Sequence, residues 1–450
     1  MNIILLSGGS GKRLWPLSND IRSKQFIKIF KKPDHDFSLG TEYIDVYESM
    51  VQRIYRQIKT VDPGAVVTIA TSKSQVSVIH NQLGMDVGIS IEPCRRDTFA
   101  AIALATAYLH DVKGVPEDEA VVVCPVDPYV ENSYFKCLSD MCTAAEQGKE
   151  RLVLMGIKPT YPAEKYGYIK PEQGMDGKRH FAFTEKPKKE KAEEYIAAGA
   201  LWNGGVFAYK LNYVLEKSKE LLGSSDYQTL FDGYADLKKI SFDYAVVEQE
   251  TSIEVLRYSG TWKDLGTWNT LTEAMEDTTV GDVRMNETCS NVHVINEIGV
   301  PILVMGGKDL VIAASPEGIL VSDKEQSSYI KPYVDAIDQQ VMFAEKSWGS
   351  YRVLEIEEDS LTVKVTLNPG HKMNYHSHER RHEIWTVISG FGKAVVDGVS
   401  QIIGPGDVIR MQAGQKHMVY AGDDVLQMIE VQLGHDISVA DKKKYREPAL

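Results

Sequence analysis

The chain has 450 residues, 43% hydrophobic and 25% charged, with 50 Lys+Arg set against 63 Asp+Glu. That length predicts two or three domains, each with its own core, and that composition excludes wholesale disorder. A net charge of −13 argues against nucleic acid or an anionic membrane as a partner. The longest apolar stretches, such as residues 100–108, reach half of the ~18 residues a membrane span needs. Five cysteines (Cys94, Cys124, Cys137, Cys142, Cys289) form no Cys-x-x-Cys pair and read as reduced thiols. Residues 1–9 read as a buried strand entering a glycine loop and not as a leader, so a cytoplasmic protein is expected.

Short apolar, β-rich runs at 3–6, 66–70, 89–91, 120–124 and 152–156 have the texture of strands buried on both faces of a parallel sheet. Helical stretches alternate with them, clearest at 97–109, where Thr98, Ala101, Ala105 and Tyr108 share one side. That alternation predicts an α/β, Rossmann-like domain with a mostly parallel sheet over residues 1–275. Between 283 and 333 the apolar pieces shorten to 292–295, 302–304, 310–313 and 319–321. Gly306-Gly307, Ser315-Pro316-Glu317-Gly318 and Ser322-Asp323 punctuate them, which predicts a short β connector over 276–340. From Val341 the pattern is all-β. Leu361, Val363, Val365 and Leu367 alternate with polar residues, and Asp397-Gly398 offers a tight hairpin turn. An all-β barrel is expected over 341–437, followed by a frayed tail at 438–450.

Seven basic residues (Lys12, Arg13, Arg22, Lys24, Lys28, Lys31, Lys32) and one acid, Asp20, fall within the first 32 positions of an acidic chain. They surround Ser7-Gly8-Gly9-Ser10-Gly11-Lys12-Arg13, a loop whose glycines let backbone N–H groups approach a phosphate. Arg13 stands where a Walker A loop has Ser or Thr, and no third glycine completes a dinucleotide fingerprint. In this context the segment from Gly8 to Ser18, followed by Lys24-Gln25-Phe26, resembles the signature of the sugar-phosphate nucleotidyltransferases. It is most similar to the mannose-1-phosphate guanylyltransferase family. The resemblance runs on in order through Glu92-Pro93-x-x-Arg96-Asp97-Thr98, Pro125-Val126-Asp127, Tyr166-Gly167-Tyr168, Phe183-Thr184-Glu185-Lys186-Pro187, Trp202-Asn203-Gly204-Gly205, Phe242-Asp243-Tyr244-Ala245 and Trp262-Lys263-Asp264-Leu265-Gly266. Two departures stand out: Ser23 where the family usually has proline, and Pro128 where it usually has histidine.

A sugar 1-phosphate is already an anionic nucleophile at neutral pH, so the chemistry asks for positioning and charge neutralisation more than for a base. The resemblance implies GTP and mannose 1-phosphate as substrates, giving GDP-mannose and pyrophosphate. It implies Arg13 and Lys24 as cations on the triphosphate, with Leu6, Gly8, Gly9, Gly11, Glu92, Arg96 and Asp97 completing the nucleotide site. Asp127 and Asp264 would hold Mg²⁺, Lys186 would grip the sugar phosphate, and Gly167, Glu185, Asn203 and Asp243 would face the sugar. Trp262 and Trp268 read as packing beside Asp264.

In the C-terminal part, Gly370-x5-His376-x-His378-x4-Glu383-x6-Gly390 matches the spacing of a first cupin motif, and His417 follows in a looser second one. Residues two apart on a strand share a face, so three imidazoles and a carboxylate are expected inside the barrel, suited to Zn²⁺ or another divalent transition metal. This half resembles the cupin domain that, in bifunctional members, is a type II mannose-6-phosphate isomerase. In those an arginine directly follows His-x-His; here Glu379 stands there and four residues precede Glu383. Arg380 or Arg381 would replace that arginine if the longer loop folds back toward the barrel mouth. A structural metal, or an empty barrel serving assembly of a homo-oligomer, stays open beside isomerase catalysis. For the whole chain, a sugar-nucleotide sensor and a transferase for another sugar 1-phosphate stay open too.

Overall fold

The apolar runs assemble into one sheet. The computed structural model describes residues 1–9, 12–19, 21–33, 47–173, 179–184, 186–337, 340–435, 437–438 and 441–448. The chain forms two compact units, Met1–Ser10, Ser23–Val76 and Asp86–Glu276 in the first, Gly11–Arg22, Ser77–Met85 and Asp277–Leu450 in the second. Besides a short antiparallel pair, Lys28–Lys31 with Tyr47–Ser49, the first unit has the strands β1 (Asn2–Ser7), β2 (Val66–Ser72), β3 (Gly88–Glu92), β4 (Ala120–Pro125), β5 (Pro128–Val130), β6 (Leu152–Ile157), β7 (Tyr168–Gln173), β8 (Arg179–Thr184), β9 (Leu201–Lys210), β10 (Ile253–Tyr258) and β11 (Trp262–Asp264). The main sheet runs β8-β7-β9-β4-β1-β2-β3, with β6 between β9 and β10. β1 lies parallel to β2 and β4, β2 to β3, and β6 to β10, while β9 enters antiparallel to β4 and β6. Helix Asp97–Ala107 forms where expected, but all nine residues from Phe99 to Ala107 are buried. It is not one-sided: packing of Phe99 against Phe242 and burial in the main core cover its whole circumference. Apart from this sheet, β5 and β11 form a two-stranded antiparallel ribbon.

The second unit begins its β structure with β12 (Thr279–Val280), β13 (Val283–Met285), β14 (His293–Asn296), β15 (Ile302–Val304), β16 (Leu310–Ser315) and β17 (Gly318–Asp323). β14 is parallel to both β12 and β16, and β13 is parallel to β15, so the short strands stack as successive coils around Val283, Val292, Val294, Val304 and Ile312. The all-β part contains β18 (Phe343–Lys346), β19 (Gly349–Ile356), β20 (Ser360–Leu367), β21 (His376–Ser377), β22 (His382–Ser389), β23 (Gly392–Val396), β24 (Val399–Ile403), β25 (Val408–Met411), β26 (His417–Ala421), β27 (Leu426–Leu433) and β28 (Lys443–Lys444). Two antiparallel sheets result, β18-β19-β20-β27-β22-β25 and β24-β23-β26-β21-β28. Val363, Val365 and Leu367 point into their common core as the period-two pattern requires. Asp397 (φ 48°) and Gly398 (φ 81°) make the expected tight turn.

One expectation is corrected. Residues 441–448 are not frayed: β28 pairs with β21, Tyr445 N–H donates to Tyr375 O at 2.9 Å, and the two tyrosine rings meet edge to face at 6.3 Å. Its lysine-rich composition hid an aromatic anchor and a strand partner. Among the described residues, no helix is long and apolar enough to cross a membrane.

Candidate active site and metal centre

Lys24 opens a short helical turn, Lys24–Phe26. Asp127 lies between β4 and β5, and ribbon pairing sets Asp264 opposite Pro128, beside Asp127. Pro128 begins its strand, a position where a missing N–H is tolerated. Lys24 Nζ consequently lies 2.7 Å from Asp127 Oδ2 and 3.6 Å from Asp264 Oδ1. Its side chain is only 17% exposed, so the two carboxylates neutralise a largely dehydrated charge. Two carboxylates converging on one point are also the donor chemistry of a hard divalent cation, so this pair fits Mg²⁺.

What aims Lys24 is a buried polar network that the sequence did not announce. Ser23 Oγ donates to Gly9 O at 2.9 Å and accepts from Gln75 Nε2 at 2.7 Å. Gln25 Nε2 donates to Ser7 Oγ at 2.9 Å, and Thr71 Oγ1 donates to Gln75 Oε1 at 2.8 Å. Ser7, Ser23, Gln25, Thr71 and Gln75 are all buried. The hydroxyl at 23, a departure from the family pattern, thus ties the glycine loop to the start of the lysine turn. Gly9 has φ 108°, which favours glycine, although a β-carbon there would meet no heavy atom within 4 Å. Gly8 is exposed and Leu6 half-buried at the end of β1. Gly11 lies outside the described residues. Arg13 sits in a helical turn, Lys12–Leu14, which belongs to the second unit, where Lys12 Nζ pairs with Asp335 Oδ1 at 2.9 Å.

Glu92 and Arg96 are engaged by a turn far along the chain. Tyr234 Oη–H donates to Glu92 Oε2 at 2.9 Å, and an Arg96 N–H donates to Ala235 O. Burial pushes the Glu92 carboxyl above its ordinary range, with the tyrosine bond opposing. Asp97 takes φ 69°, and its Oδ1 accepts from Thr98 N–H at 2.8 Å at the start of the helix.

On the other side, Asn203 N–H donates to Gly167 O at 2.8 Å, and Asn203 Nδ2 donates to Asp243 Oδ1 at 2.6 Å. In β9 Asn203 still pairs with Gly156, and the register shift between it and Phe207 places Gly204-Gly205 in a bulge directly beside the asparagine. Lys186 N–H donates to Tyr166 O at 3.3 Å, and the residue adopts φ 46°. Glu185 lies outside the described residues. Tyr161, Tyr166, Trp202 and Trp262 form an aromatic wall here, with Tyr166 centred 5.0 Å from Trp202 and 5.2 Å from Trp262. Burial raises the Tyr166 hydroxyl well above its ordinary range, and the charges of Asp264 and Asp127 add to this. Trp268 is buried packing, as expected, whereas Trp262 belongs to the wall. Tyr166 and Trp202 stand inside recognisable motifs, a signal that sequence reading passed over; Gln75 carries none.

In the barrel, His376, His378 and His417 bring ligand nitrogens within 4.8 Å of one another, all buried. His376 Nδ1 faces Asn374 O at 2.6 Å, His417 Nδ1 faces Gln415 O at 2.9 Å, and His378 Nδ1 faces Asp441 O. Each backbone carbonyl fixes the Nδ1–H tautomer and leaves Nε2 as a lone pair directed inward. Glu383 Oε2 lies 3.2 Å from His417 Nε2, yet neither buried atom has a hydrogen-bond partner among the described residues. Two opposed acceptors in a dehydrated box call for a cation, so this donor set fits a transition metal. Burial, helped by the charge of Lys442, lowers His376 to about 2, and burial pushes Glu430 up to about 7. His371, His382 and His435 are exposed, as expected. Arg381 has folded inward; Arg380 has not, its backbone N–H instead donating to Asp441 Oδ2 at 3.0 Å.

Comparison with known proteins agrees with both halves. The nucleotidyl transferase family matches residues 2–280, and the cupin domain matches residues 363–432. A mannose-1-phosphate guanylyltransferase of Escherichia coli K12 is 27% identical over 485 residues, covering 99% of this chain and 97% of the relative. The alginate biosynthesis protein AlgA of Pseudomonas putida is 28% identical, covering 99% and 95%. A crystal structure from Thermus thermophilus, described as a mannose-1-phosphate geranyltransferase, superposes with a TM-score of 0.60 at 27% identity, covering 74% of this chain and 98% of that one. With a family match over more than half its length, carrying the Lys24–Asp127–Asp264 cluster, the chain belongs to the nucleotidyl transferase family.

Proposed function

We propose that this protein transfers the guanylyl group of GTP to mannose 1-phosphate. A phosphate oxygen of the sugar attacks the α-phosphorus, the bond from that phosphorus to the bridging oxygen breaks, and pyrophosphate leaves with the electron pair. The observation that carries the reading is the convergence of Lys24 with Asp127 and Asp264 in a unit whose glycine loop presents open backbone. The names of the full-length relatives support the choice of sugar and base.

In this reading Asp127 and Asp264 hold Mg²⁺, which when bound neutralises phosphate charge and helps align the reactants. Lys24 would act on the triphosphate, and the family resemblance assigns Arg13 the same role. Leu6, Gly8, Gly9, Gly11, Glu92, Arg96 and Asp97 surround the nucleoside. Lys186 meets the sugar phosphate as a point charge. Gly167, Glu185, Asn203 and Asp243 orient the sugar hydroxyls, and the aromatic wall supplies an apolar face for the ring. Residues 1–275 would carry the transfer, 276–340 connect, and 341–437 form the cupin. These substrates suit a cytoplasmic enzyme.

The test is a panel of nucleoside triphosphates against several sugar 1-phosphates, followed by pyrophosphate release. GTP with mannose 1-phosphate should give the highest kcat/KM. Turnover of another pair with none of this one would overturn the proposal.

A further inference from the structure

The cupin box already contains a cation. Arg381 is only 8% exposed, and its guanidinium enters the ligand set from the loop that lengthens the motif. Nε donates to Glu383 Oε1 at 3.1 Å, one terminal nitrogen donates to His378 Nε2 at 3.0 Å, and the other donates to Ser438 O at 2.9 Å. Because Asp441 O takes the Nδ1 proton of His378, the Nε2 lone pair that Arg381 uses is the one a metal would need. His376 and His417 are left outside this fork.

We propose that Arg381 is a built-in competitor for the box, so that its guanidinium and a divalent transition metal are alternative cations sharing His378 Nε2. A metal bonded to His378 Nε2 takes the acceptor from one arm of the fork, and a guanidinium kept beside the metal repels it in a site stripped of water. The end of the chain holds the competitor in place. Ser438 O receives the third Arg381 bond, Asp441 accepts from Glu379 N–H and Arg380 N–H at 3.0 Å each, and β28 pairs with β21, the strand bearing His376. Metal loading therefore requires this loop and the chain end to rearrange together.

The experiment uses the full chain, stripped with a chelator and titrated with Co²⁺ against a chromophoric competitor, while the visible Co²⁺ band reports coordination. Arg381→Gln should bind Co²⁺ at least ~10-fold more tightly than the unaltered protein, the scale on which neighbours of metal ligands act. Arg381→Lys should fall between them, because one ammonium cannot serve Glu383 and His378 with the same fork geometry. Circular dichroism checks folding; if Arg381→Gln folds only with metal, Arg381→Lys carries the comparison. Equal or weaker Co²⁺ affinity in the folded variants would overturn the proposal.

Discussion

Ser23→Ala tests whether the buried network aims the active site. The alanine removes two neutral hydrogen bonds, the 2.9 Å bond to Gly9 O and the 2.7 Å bond from Gln75 Nε2. At ~1 kcal/mol each, and with residue 23 buried, stability should fall by about 2 kcal/mol, a factor of ~30 in the folding equilibrium. The loop at Gly9 also loses its tether to the lysine turn, so KM for GTP should rise on the order of tenfold, or ~1.4 kcal/mol. Ser23→Pro separates the hydroxyl from the backbone. Residue 23 has φ −69° and ψ 165°, values that proline adopts without strain. The proline variant loses the same bonds but stiffens the unfolded chain, recovering ~0.4–1 kcal/mol, and should lie between alanine and serine in a urea melt. Combined with Gln75→Leu, Ser23→Ala should cost less than the sum of the two single changes, because the pair shares one bond. If Ser23→Ala leaves stability within ~0.5 kcal/mol and KM unaltered, the network is packing only and the reasoning fails.

Asp264→Asn keeps the side-chain shape and leaves Lys24 its 2.7 Å partner Asp127, so folding should survive while turnover falls at least ~10²; near-normal Mg²⁺-dependent rates would contradict the assignment. Lys186→Ala should raise KM for the sugar phosphate more than for GTP, and Arg13→Ala should do the reverse; equal effects on both substrates would mean that the roles are misassigned. Burial and the charge of Lys324, whose Nζ donates to His293 Nδ1 at 2.9 Å, hold His293 down at about 4 against 6.5 in a free chain. As pH falls through that interval the unfolded chain takes up a proton that the folded one refuses, so stability should drop between pH ~6.5 and ~4 and not above. His293→Gln should flatten that slope in denaturant melts at pH 7 and pH 5, and an unaltered slope would exclude His293 as its source.

The local grammar of this chain was legible before any fold existed. Apolar runs such as residues 120–124 announced buried parallel strands, and alternation from Leu361 to Leu367 announced a sheet with one wet face. Asp397-Gly398 required its hairpin, and His376-x-His378 announced two imidazoles that the barrel brings together. Each of these rests on backbone periodicity or on the φ preferences of neighbouring residues, which act within a few positions. Three things only the tertiary structure decided. Asp127 and Asp264 meet at Lys24 because the ribbon register sets Asp264 against Pro128, a pairing between distant segments that no local pattern encodes. Ser23 and Gln75 matter because burial removes the water that would otherwise satisfy them. The inward turn of Arg381, which the sequence leaves conditional on its loop folding back, and the strand at Lys443–Lys444 are decided there too, since charged side chains look solvated until partners converge on them, for Arg381 a carboxylate, an imidazole and a backbone carbonyl.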